Sequence, residues 1–347
     1  MAKLFQWFIL VALFTLIPGS ALADDLAALR GQTIRMIVAH RAGNTTDTMA
    51  RLFAATAEKL VPEATVRIQN LDGSGGTLAL NEIYGAGSSS ITLGFVNSGV
   101  VYSQATLDEK LPYDLTKFRW IGALAGSQRI LVVRKGVIAD ADPYKKESSG
   151  KPLVTLTTTA NAHNYMDGLL INNLTNIRLK MVTGFKTEQQ DAMLLSGDAD
   201  AGIGTYENYR ISIESGDLVP ILRFGSLGYP EAVMKVPALA DVARSSAPKE
   251  VVSVSAQLSD MGRYVLAAPS TTDEQTAALQ ALFNKVVVDE HYLKGFAAAN
   301  MVSEPRDGAT LTKFMADILG NTTAIAALKK ELACGQLVSD EKRDSCQ

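Results

Sequence analysis

Short apolar runs alternate with amphipathic stretches along most of the chain. Residues 33–39, 64–69 and 91–96 are rich in aliphatic and β-branched residues, and each run ends in a loop of small or polar residues before a helical pattern begins. This alternation is typical of α/β units, whose strands are mostly parallel. Further strands are predicted over residues 130–134, 153–156, 180–182, 199–203, 218–223 and 264–267.

Apolar residues recur at helical spacing after several of these strands. In the first predicted helix, residues 48–60, this spacing is set by Met49, Phe53 and Leu60. Two sets of strand and helix units, joined by more than one crossing of the chain, would leave a cleft that the loops at the strand ends would face. Further helices are predicted over residues 77–84, 164–174, 188–195, 273–288, 311–319 and 325–332.

The composition is that of a globular α/β protein. The 347 residues are 47% hydrophobic and 20% charged, and they include 27 glycines. This length corresponds to about two domains. The formal net charge is −3, and the 33 lysines and arginines are scattered along the chain, so no basic stripe is available for nucleic acid. We therefore expect no nucleic-acid partner.

The N-terminus has the three-part pattern of an export signal. Lys3 supplies the positive charge, residues 7–17 are apolar apart from Thr15, and a small-x-small cleavage site follows at residues 21–23. The apolar run has about eleven residues, whereas a membrane-spanning helix needs roughly 20. A signal anchor is the alternative interpretation. We expect residues 1–23 to be a signal peptide that is cleaved after Ala23, leaving a periplasmic protein.

The two cysteines, Cys334 and Cys346, both lie close to the C-terminus. In an oxidising compartment, such an isolated pair predicts a local disulfide that fixes the C-terminal tail. The alternative is a catalytic or metal-binding pair, but no histidine lies near it and the spacing is not the two-residue kind that zinc sites use. His40, His163 and His291 are far apart in sequence, so we predict no metal site. The sequence also lacks a Gly-x-Ser-x-Gly nucleophile motif, and we predict no cofactor and no recognised catalytic motif.

Two loops of the first set carry a distinctive series of residues. The first loop and its flanks, residues 37–52, have the sequence IVAHRAGNTTDTMARL. The second, about one helix and one strand later, has Asn70 followed by the glycine-rich residues 73–76. These loops resemble those of the extracytoplasmic solute receptors of tripartite tricarboxylate transporters, often called Bug receptors. Similar segments at residues 111–118, 195–200 and 267–269 extend the resemblance over nearly the whole mature chain.

The resemblance implies a fold and a function. The implied fold is α/β and of the two-domain periplasmic-binding-protein type (type II-like), each domain having a mixed or parallel sheet flanked by helices, with a ligand cleft between the domains. Domain I would comprise residues 24–124 and 250–347, the latter including the C-terminal tail, and domain II residues 125–249. The implied protein is a monomer that binds a small carboxylate-bearing solute, delivers it to membrane permease subunits and catalyses nothing.

Three alternatives remain beside this function. The receptor could present its solute to a sensor kinase, or it could have kept the fold after losing its ligand. A protein of a different class, an exported α/β enzyme that acts on a small acid, is the third alternative.

The resemblance also places the ligand-binding residues on loops at both sides of the cleft. In such loops, backbone N–H groups at helix N-termini can hold a carboxylate without a cationic side chain. On one side the resemblance places Arg41, Gly43, Asn44, Thr45, Thr46, Asp47, Gly73, Ser74, Gly75, Gly76, Asn97 and Ser98, and on the other side Thr158, Thr159, Asn161, Gly184, Phe185 and Lys186.

Several of these residues have a structural alternative or depart from the family pattern. Asp47 could cap the first helix rather than contact a ligand, and the glycines of residues 73–76 could serve only a tight turn. Arg41 stands where a small residue is common; it suggests either an anionic ligand group or a structurally paired side chain. His40 replaces the usual aromatic residue, and residues 157–161 lack both glycines of the family's second-domain loop.

Overall fold

The computed structural model describes residues 24–107, 111–138, 144 and 151–335. The predicted export signal and Cys346 lie outside these residues, so the cleavage site and the disulfide stay predictions. Cys334 is buried at the end of the last helix. Among the described helices, none combines the length and the hydrophobicity that crossing a membrane requires.

The described residues form two sheets and the helices that flank them. The strands are β1 (Thr33–Val38), β2 (Thr65–Asn70), β3 (Ile91–Asn97), β4 (Arg119–Ala125), β5 (Arg129–Arg134), β6 (Leu153–Leu156), β7 (Leu179–Val182), β8 (Ala201–Thr205), β9 (Leu218–Arg223), β10 (Arg263–Ala267) and β11 (Arg306–Asp307). The helices are α1 (Thr45–Leu60), α2 (Thr77–Tyr84), α3 (Gly99–Leu107), α4 (His163–Leu174), α5 (Thr187–Ser196), α6 (Tyr206–Glu214), α7 (Glu231–Met234), α8 (Leu239–Val242), α9 (Lys249–Asp260), α10 (Asp273–Val286), α11 (Glu290–Ala298), α12 (Gly308–Gly320) and α13 (Thr322–Gly335).

Each sheet is mixed. The first has the strand order β11-β4-β10-β3-β1-β2, with β1, β2 and β3 parallel and β10 antiparallel to both of its neighbours. The second has the order β7-β6-β8-β5-β9, in which β5 is antiparallel to β8 and β9. We call the first sheet and its helices the first lobe, and the second sheet and its helices the second lobe. The predicted two-sheet α/β fold is confirmed.

The core of the first lobe contains aromatic side chains of the sheet and of two helices, α1 and α10, that pack on it. Phe53 of α1 packs edge-on against Phe95 of β3, with ring centroids 5.5 Å apart, and it also contacts Phe283 of α10 at 6.1 Å. Trp120 and Tyr264 pack in the same edge-on manner, 5.8 Å apart, where β4 and β10 are neighbours. Burial of these side chains fixes the strands whose ends carry the site.

The chain passes between the lobes more than once. It enters the second lobe after β4, through residues 126–128, and it returns to the first lobe at β10. At the C-terminus, α13 packs on α4 of the second lobe, where Glu331 accepts a hydrogen bond from the amide of Asn173. Within the described residues, the two lobes are therefore joined by two connections and by helix α13. The predicted domain limits at residues 124/125 and 249/250 stay predictions.

Some elements differ from the sequence-based expectation, and the differences have physical causes. Helix α1 begins at Thr45 rather than at residue 48, because Asn44 caps it and the polar first turn carries no apolar periodicity. Helix α3 was not predicted, since Val100, Val101, Tyr102 and Ser103 are consecutive and all buried, so these positions show no helical alternation of apolar and polar residues. Further elements that the pattern missed are β4, β11, α6, α7, α8, α9 and α11.

Candidate functional site

A cavity of about 770 Å³ lies between the two lobes. The loops after β1, β2 and β3 line it from the first lobe, and the loops before α4, α5 and α6 line it from the second. The predicted site residues that line it are Arg41, Gly43, Asn44, Thr45, Thr46, Gly73, Ser74, Gly75, Gly76, Asn97, Thr158, Thr159, Gly184, Phe185 and Lys186.

Asp47 does not line the cavity and instead fixes the loop that does. Its buried carboxylate accepts hydrogen bonds from the backbone N–H of Gly43 at 2.7 Å, from Arg51 at 2.8 Å and from Asn70 at 2.8 Å. Burial raises the pKa of Asp47, but these three hydrogen bonds outweigh burial and bring the pKa below its usual value. Asp47 is therefore not the cap of α1, which is Asn44, and it holds the loop in place at Gly43.

Ser98 and Asn161 also lie outside the cavity lining. Ser98 is fully buried, and its backbone N–H donates to the carbonyl of Gly262 at 2.8 Å. Asn161 lies on the second lobe with its carbonyl oxygen against Gly75 of the first lobe. Asn161 therefore brings the two lobes into contact at the edge of the cavity.

At Gly75 the backbones of the two lobes lie against each other. A Cβ atom at this position would lie 2.2 Å from the carbonyl oxygen of Asn161, far inside van der Waals contact. Gly75 also has φ +64°, a left-handed conformation that favours glycine. This glycine therefore serves both the tight turn and the close approach of the second lobe.

Arg41 lies at the rim of the cavity with its charge already paired. Its Nε lies 2.7 Å from Oδ2 of Asp72, and its side chain is 50% exposed. Asp72 lines the cavity as well, so this pair adds little net charge to the cavity.

Two buried arginines line the cavity and were not predicted. Arg129 begins β5, and its Nε donates to Oδ2 of Asp167 at 2.7 Å. Arg263 begins β10 in the first lobe; its Nη1 and Nη2 each lie 3.3 Å from a carboxylate oxygen of Glu207 in the second lobe. The side chains of these two pairs are at most 7% exposed. The cavity therefore holds guanidinium groups in a setting with little water, where charges act strongly.

The sequence carried only a faint indication of these pairs. Arg129 immediately precedes an apolar strand, and Asp167 lies inside an apolar helix, so each is a charged residue in a buried segment. Such residues need partners, but the partners lie 38 positions apart in one pair and 56 in the other. Local periodicity contains no information about contacts at that separation.

Two histidines line the cavity, and both are neutral. The amide Nδ2 of Asn97 lies 2.9 Å from Nε2 of His40, and the amide oxygen of Asn97 accepts a hydrogen bond from the backbone N–H of Gly99. Because Nδ2 can only donate, Nε2 of His40 accepts its hydrogen bond and carries no proton. Burial lowers the pKa of His40 to about 4; Asp72 opposes this shift and Arg263 adds to it. Burial likewise lowers the pKa of His163, and the positive charges of Arg129 and Arg263 lower it further.

Asp167 is the carboxylate that pairs with Arg129. Burial raises the pKa of Asp167, and the charge and hydrogen bond of Arg129 oppose that rise. Oδ1 of Asp167 lies 3.5 Å from Nε2 of His163, the first residue of α4. Tyr102 of the first lobe packs edge-on against His163, with ring centroids 5.2 Å apart. This cluster therefore also joins the two lobes.

The neutral state of His40 predicts a pH dependence of stability. Because the pKa is about 4 in the folded protein and 6.5 as the unperturbed value, the unfolded chain binds more protons between these pH values. We expect the stabilisation to be complete above pH ~6.5 and to fall by about 3 kcal/mol as the pH approaches ~4. Urea unfolding at several pH values, in wild type and in His40→Gln, measures the difference. An identical pH profile in the two proteins would contradict the assignment.

Several helices begin at the cavity without a side-chain cap. The N-cap residues of α2, α4 and α6 are Gly76, Ala162 and Thr205, and none of them accepts a hydrogen bond through its side chain from the helix. The first-turn N–H groups and the positive ends of these helix dipoles favour an anion. Helix α1 differs, because Asn44 caps it.

The described residues include no group of three or more His, Cys, Asp or Glu side chains that could hold a metal ion.

Comparison with known proteins shows the fold. No protein-family profile matches the chain, and no curated protein matches it. Among solved structures, a TctC solute binding protein from Polaromonas is similar, with 16% identity, coverage of 87% of this chain and 98% of that chain, and a TM-score of 0.63. MatC from Rhodopseudomonas palustris with bound malate has 20% identity and a TM-score of 0.66, and the match covers 87% of this chain and 99% of that chain. R. palustris Rpa4515 with adipate has 16% identity and a TM-score of 0.66, and the match covers 86% of this chain and 97% of that chain.

These similarities define the class of structure. The chain has the two-lobed α/β fold of these proteins over nearly all of their length. The cavity lies between the lobes, as expected for a fold in which the ligand cleft separates two domains.

Proposed function

We propose that the protein is a periplasmic receptor of the tripartite tricarboxylate transporter type, which binds a small carboxylate-bearing solute between its lobes and delivers it to membrane permease subunits. The observation that carries this proposal is the cavity of about 770 Å³, lined by uncapped helix N-termini and two buried arginines. That volume is suitable for a small molecule. Two proteins with the same fold hold malate and adipate, which are both carboxylates.

The cavity attracts an anion through local groups rather than through the charge of the whole protein. The formal net charge is −3, so the overall field repels a carboxylate. Inside the cavity, three helix N-termini and the N–H donors of Arg129 and Arg263 favour an anion over a short range, although each guanidinium is also paired with a carboxylate. Such fields are strong where water is excluded and weak outside.

Binding between lobes couples the ligand to closure. Loops of both lobes line the cavity, so a ligand that contacts both of them favours the closed arrangement by its differential affinity. We include in the proposal the domain division at residues 124/125 and 249/250, the monomeric state and the cleavage after Ala23. In this scheme the protein binds and releases its solute without chemical change.

A thermal-shift panel tests the binding function. The mature protein is heated with malate, adipate and other mono-, di- and tricarboxylates, with the corresponding amides as controls. At about 100 times the dissociation constant, a ligand adds about 2.7 kcal/mol to the free energy of unfolding. We expect at least one carboxylate to raise the midpoint of thermal unfolding, and we expect its amide to leave the midpoint unchanged. A flat response across the panel contradicts the proposal, and turnover of a ligand indicates an enzyme instead.

Transport is tested separately in cells. We expect a strain that lacks this protein to lose uptake of the carboxylate that the panel identifies. Unchanged uptake together with a lost transcriptional response would indicate that the receptor serves a sensor kinase.

A further inference from the structure

We infer that Arg129 contacts the carboxylate of the solute and that Asp167 is the positioning residue that holds Arg129 in place. This inference rests on the proposed function and makes it more specific. The family resemblance implies binding through backbone N–H groups at helix ends, which requires no cationic side chain. The structure assigns a cationic side chain, Arg129, to the second-lobe side of the cavity.

The position of Arg129 is set by the sheet. Arg129 is the first residue of β5 and pairs in register with Thr205, the last residue of the antiparallel strand β8. Both residues line the cavity. The ends of two neighbouring inner strands of the second sheet therefore present a guanidinium beside a hydroxyl group, and side chains on strands are held more precisely than side chains on loops.

Asp167 binds one edge of the Arg129 guanidinium and leaves the other edge available. Oδ2 of Asp167 lies 2.7 Å from Nε and 2.5 Å from Nη2. Among the described residues, Nη1 has no hydrogen-bond partner. Because the guanidinium is planar and has five N–H donors, a carboxylate in the cavity can accept from the free edge while Asp167 accepts from the other.

The surroundings of Arg129 contain further polar groups without partners. Asn164 is 9% exposed and lines the cavity, and its Oδ1 has no hydrogen bond. Oγ1 of Thr205 also lacks a partner. Buried polar atoms are normally paired, so such atoms beside an uncapped helix indicate a place for a ligand.

The other cations of the cavity are less suited to this role. Arg263 is held by two contacts with Glu207, and its Nη1 also donates to the carbonyl of Gly126 at 2.7 Å. Arg41 is half exposed and paired with Asp72 at the rim. Lys186 is exposed on the loop before α5. Arg129 is the one among these four described residues that is buried and has a free edge.

The first test replaces Arg129 and measures affinity by isothermal titration with malate, with adipate and with the best carboxylate of the thermal-shift panel. We expect Arg129→Lys to bind about 10- to 100-fold more weakly, because lysine keeps the charge but loses the planar fork. The matched control is Arg119→Lys, since Arg119 pairs with Asp273 at 3.1 Å and lies outside the cavity lining. We expect the control to bind as wild type does.

The second test distinguishes positioning from a general structural role. We expect Asp167→Asn to weaken binding about 10-fold, and to cause no further loss when Arg129→Lys is already present, because both changes act through one contact. If the single variants fail to fold, the uncharged double variant R129M/D167L removes both buried charges together and serves in their place. We expect it to fold and to bind at least about 100-fold more weakly.

Each outcome decides the inference. Wild-type affinity in Arg129→Lys, or in R129M/D167L, overturns the inference and leaves the proposed function intact. Additive losses in the double variant of Arg129→Lys and Asp167→Asn overturn the positioning role of Asp167. If the wild-type protein binds none of the carboxylates, the proposed function fails and the inference fails with it.

Discussion

Replacement of Gly75 with alanine is expected to lower the affinity for a carboxylate by at least about 100-fold, because the added methyl group holds the two lobes apart. The new Cβ would lie 2.2 Å from the carbonyl oxygen of Asn161 and 3.0 Å from its carbon. Both partners of this clash are backbone, so no side-chain rotation can relieve it. The lobes must therefore separate, and the loops that line the cavity from each lobe then no longer reach one ligand.

A matched variant separates the clash from backbone strain. Gly31 has φ +68°, close to the +64° of Gly75, but a Cβ there meets no atom within 4 Å. Gly31→Ala should therefore cost about 1 kcal/mol of stability through strain alone, with unchanged affinity. Titration calorimetry and small-angle scattering measure affinity and lobe separation in both variants. Equal behaviour of Gly75→Ala and Gly31→Ala would show that the contact between the lobes does not control binding.

Replacement of Glu207 with alanine is expected to reduce the free energy of unfolding by about 3–5 kcal/mol. Glu207 belongs to α6 in the second lobe, and it pairs with Arg263 of the first lobe. The two side chains are 7% and 4% exposed. Loss of the carboxylate leaves a buried guanidinium that keeps only its hydrogen bond to the carbonyl of Gly126, and the cost of removing that charge from water is no longer offset.

The same helix offers the control for this prediction. Glu214 of α6 pairs with Arg210 one turn away, with side chains 54% and 25% exposed. Because such exposed pairs contribute little, Glu214→Ala should change the free energy of unfolding by less than about 0.5 kcal/mol. Urea unfolding of both variants gives the comparison. Similar losses for Glu207→Ala and Glu214→Ala would mean that water reaches the Arg263 pair freely.

The loops of the first lobe show how far local sequence information extends. The hydrophobic pattern predicted strand β1, and the family resemblance of the loop to Asn44 and of residues 73–76 placed these loops in the cavity lining, where they lie. The same patterns left two roles open for Asp47. The structure shows neither role, since Asn44 caps the helix and Asp47 lies outside the cavity lining. Asp47 instead holds the loop at Gly43, and one of its hydrogen-bond donors, Asn70, lies 23 positions away.

The second lobe shows where prediction from the sequence ends. Thr158, Thr159, Gly184, Phe185 and Lys186 were placed by resemblance, and all line the cavity, although the glycines typical of the family are absent. Among the two predicted cavity cations, Arg41 proved to be exposed and paired at the rim and Lys186 to be exposed. The buried cations that line the cavity were not anticipated.

The sequence by itself determined the alternating α/β architecture and the small-residue loops at the strand ends, because hydrophobic periodicity and backbone conformation depend on neighbours in the chain. Only the tertiary structure decided which charges face the cavity. Arg129 and Arg263 are paired inside the protein with Asp167 and Glu207, and one of these pairs joins residues of different lobes. The cost of burying a charge depends on its partner in space, and the partner is fixed by packing between segments that are distant in sequence.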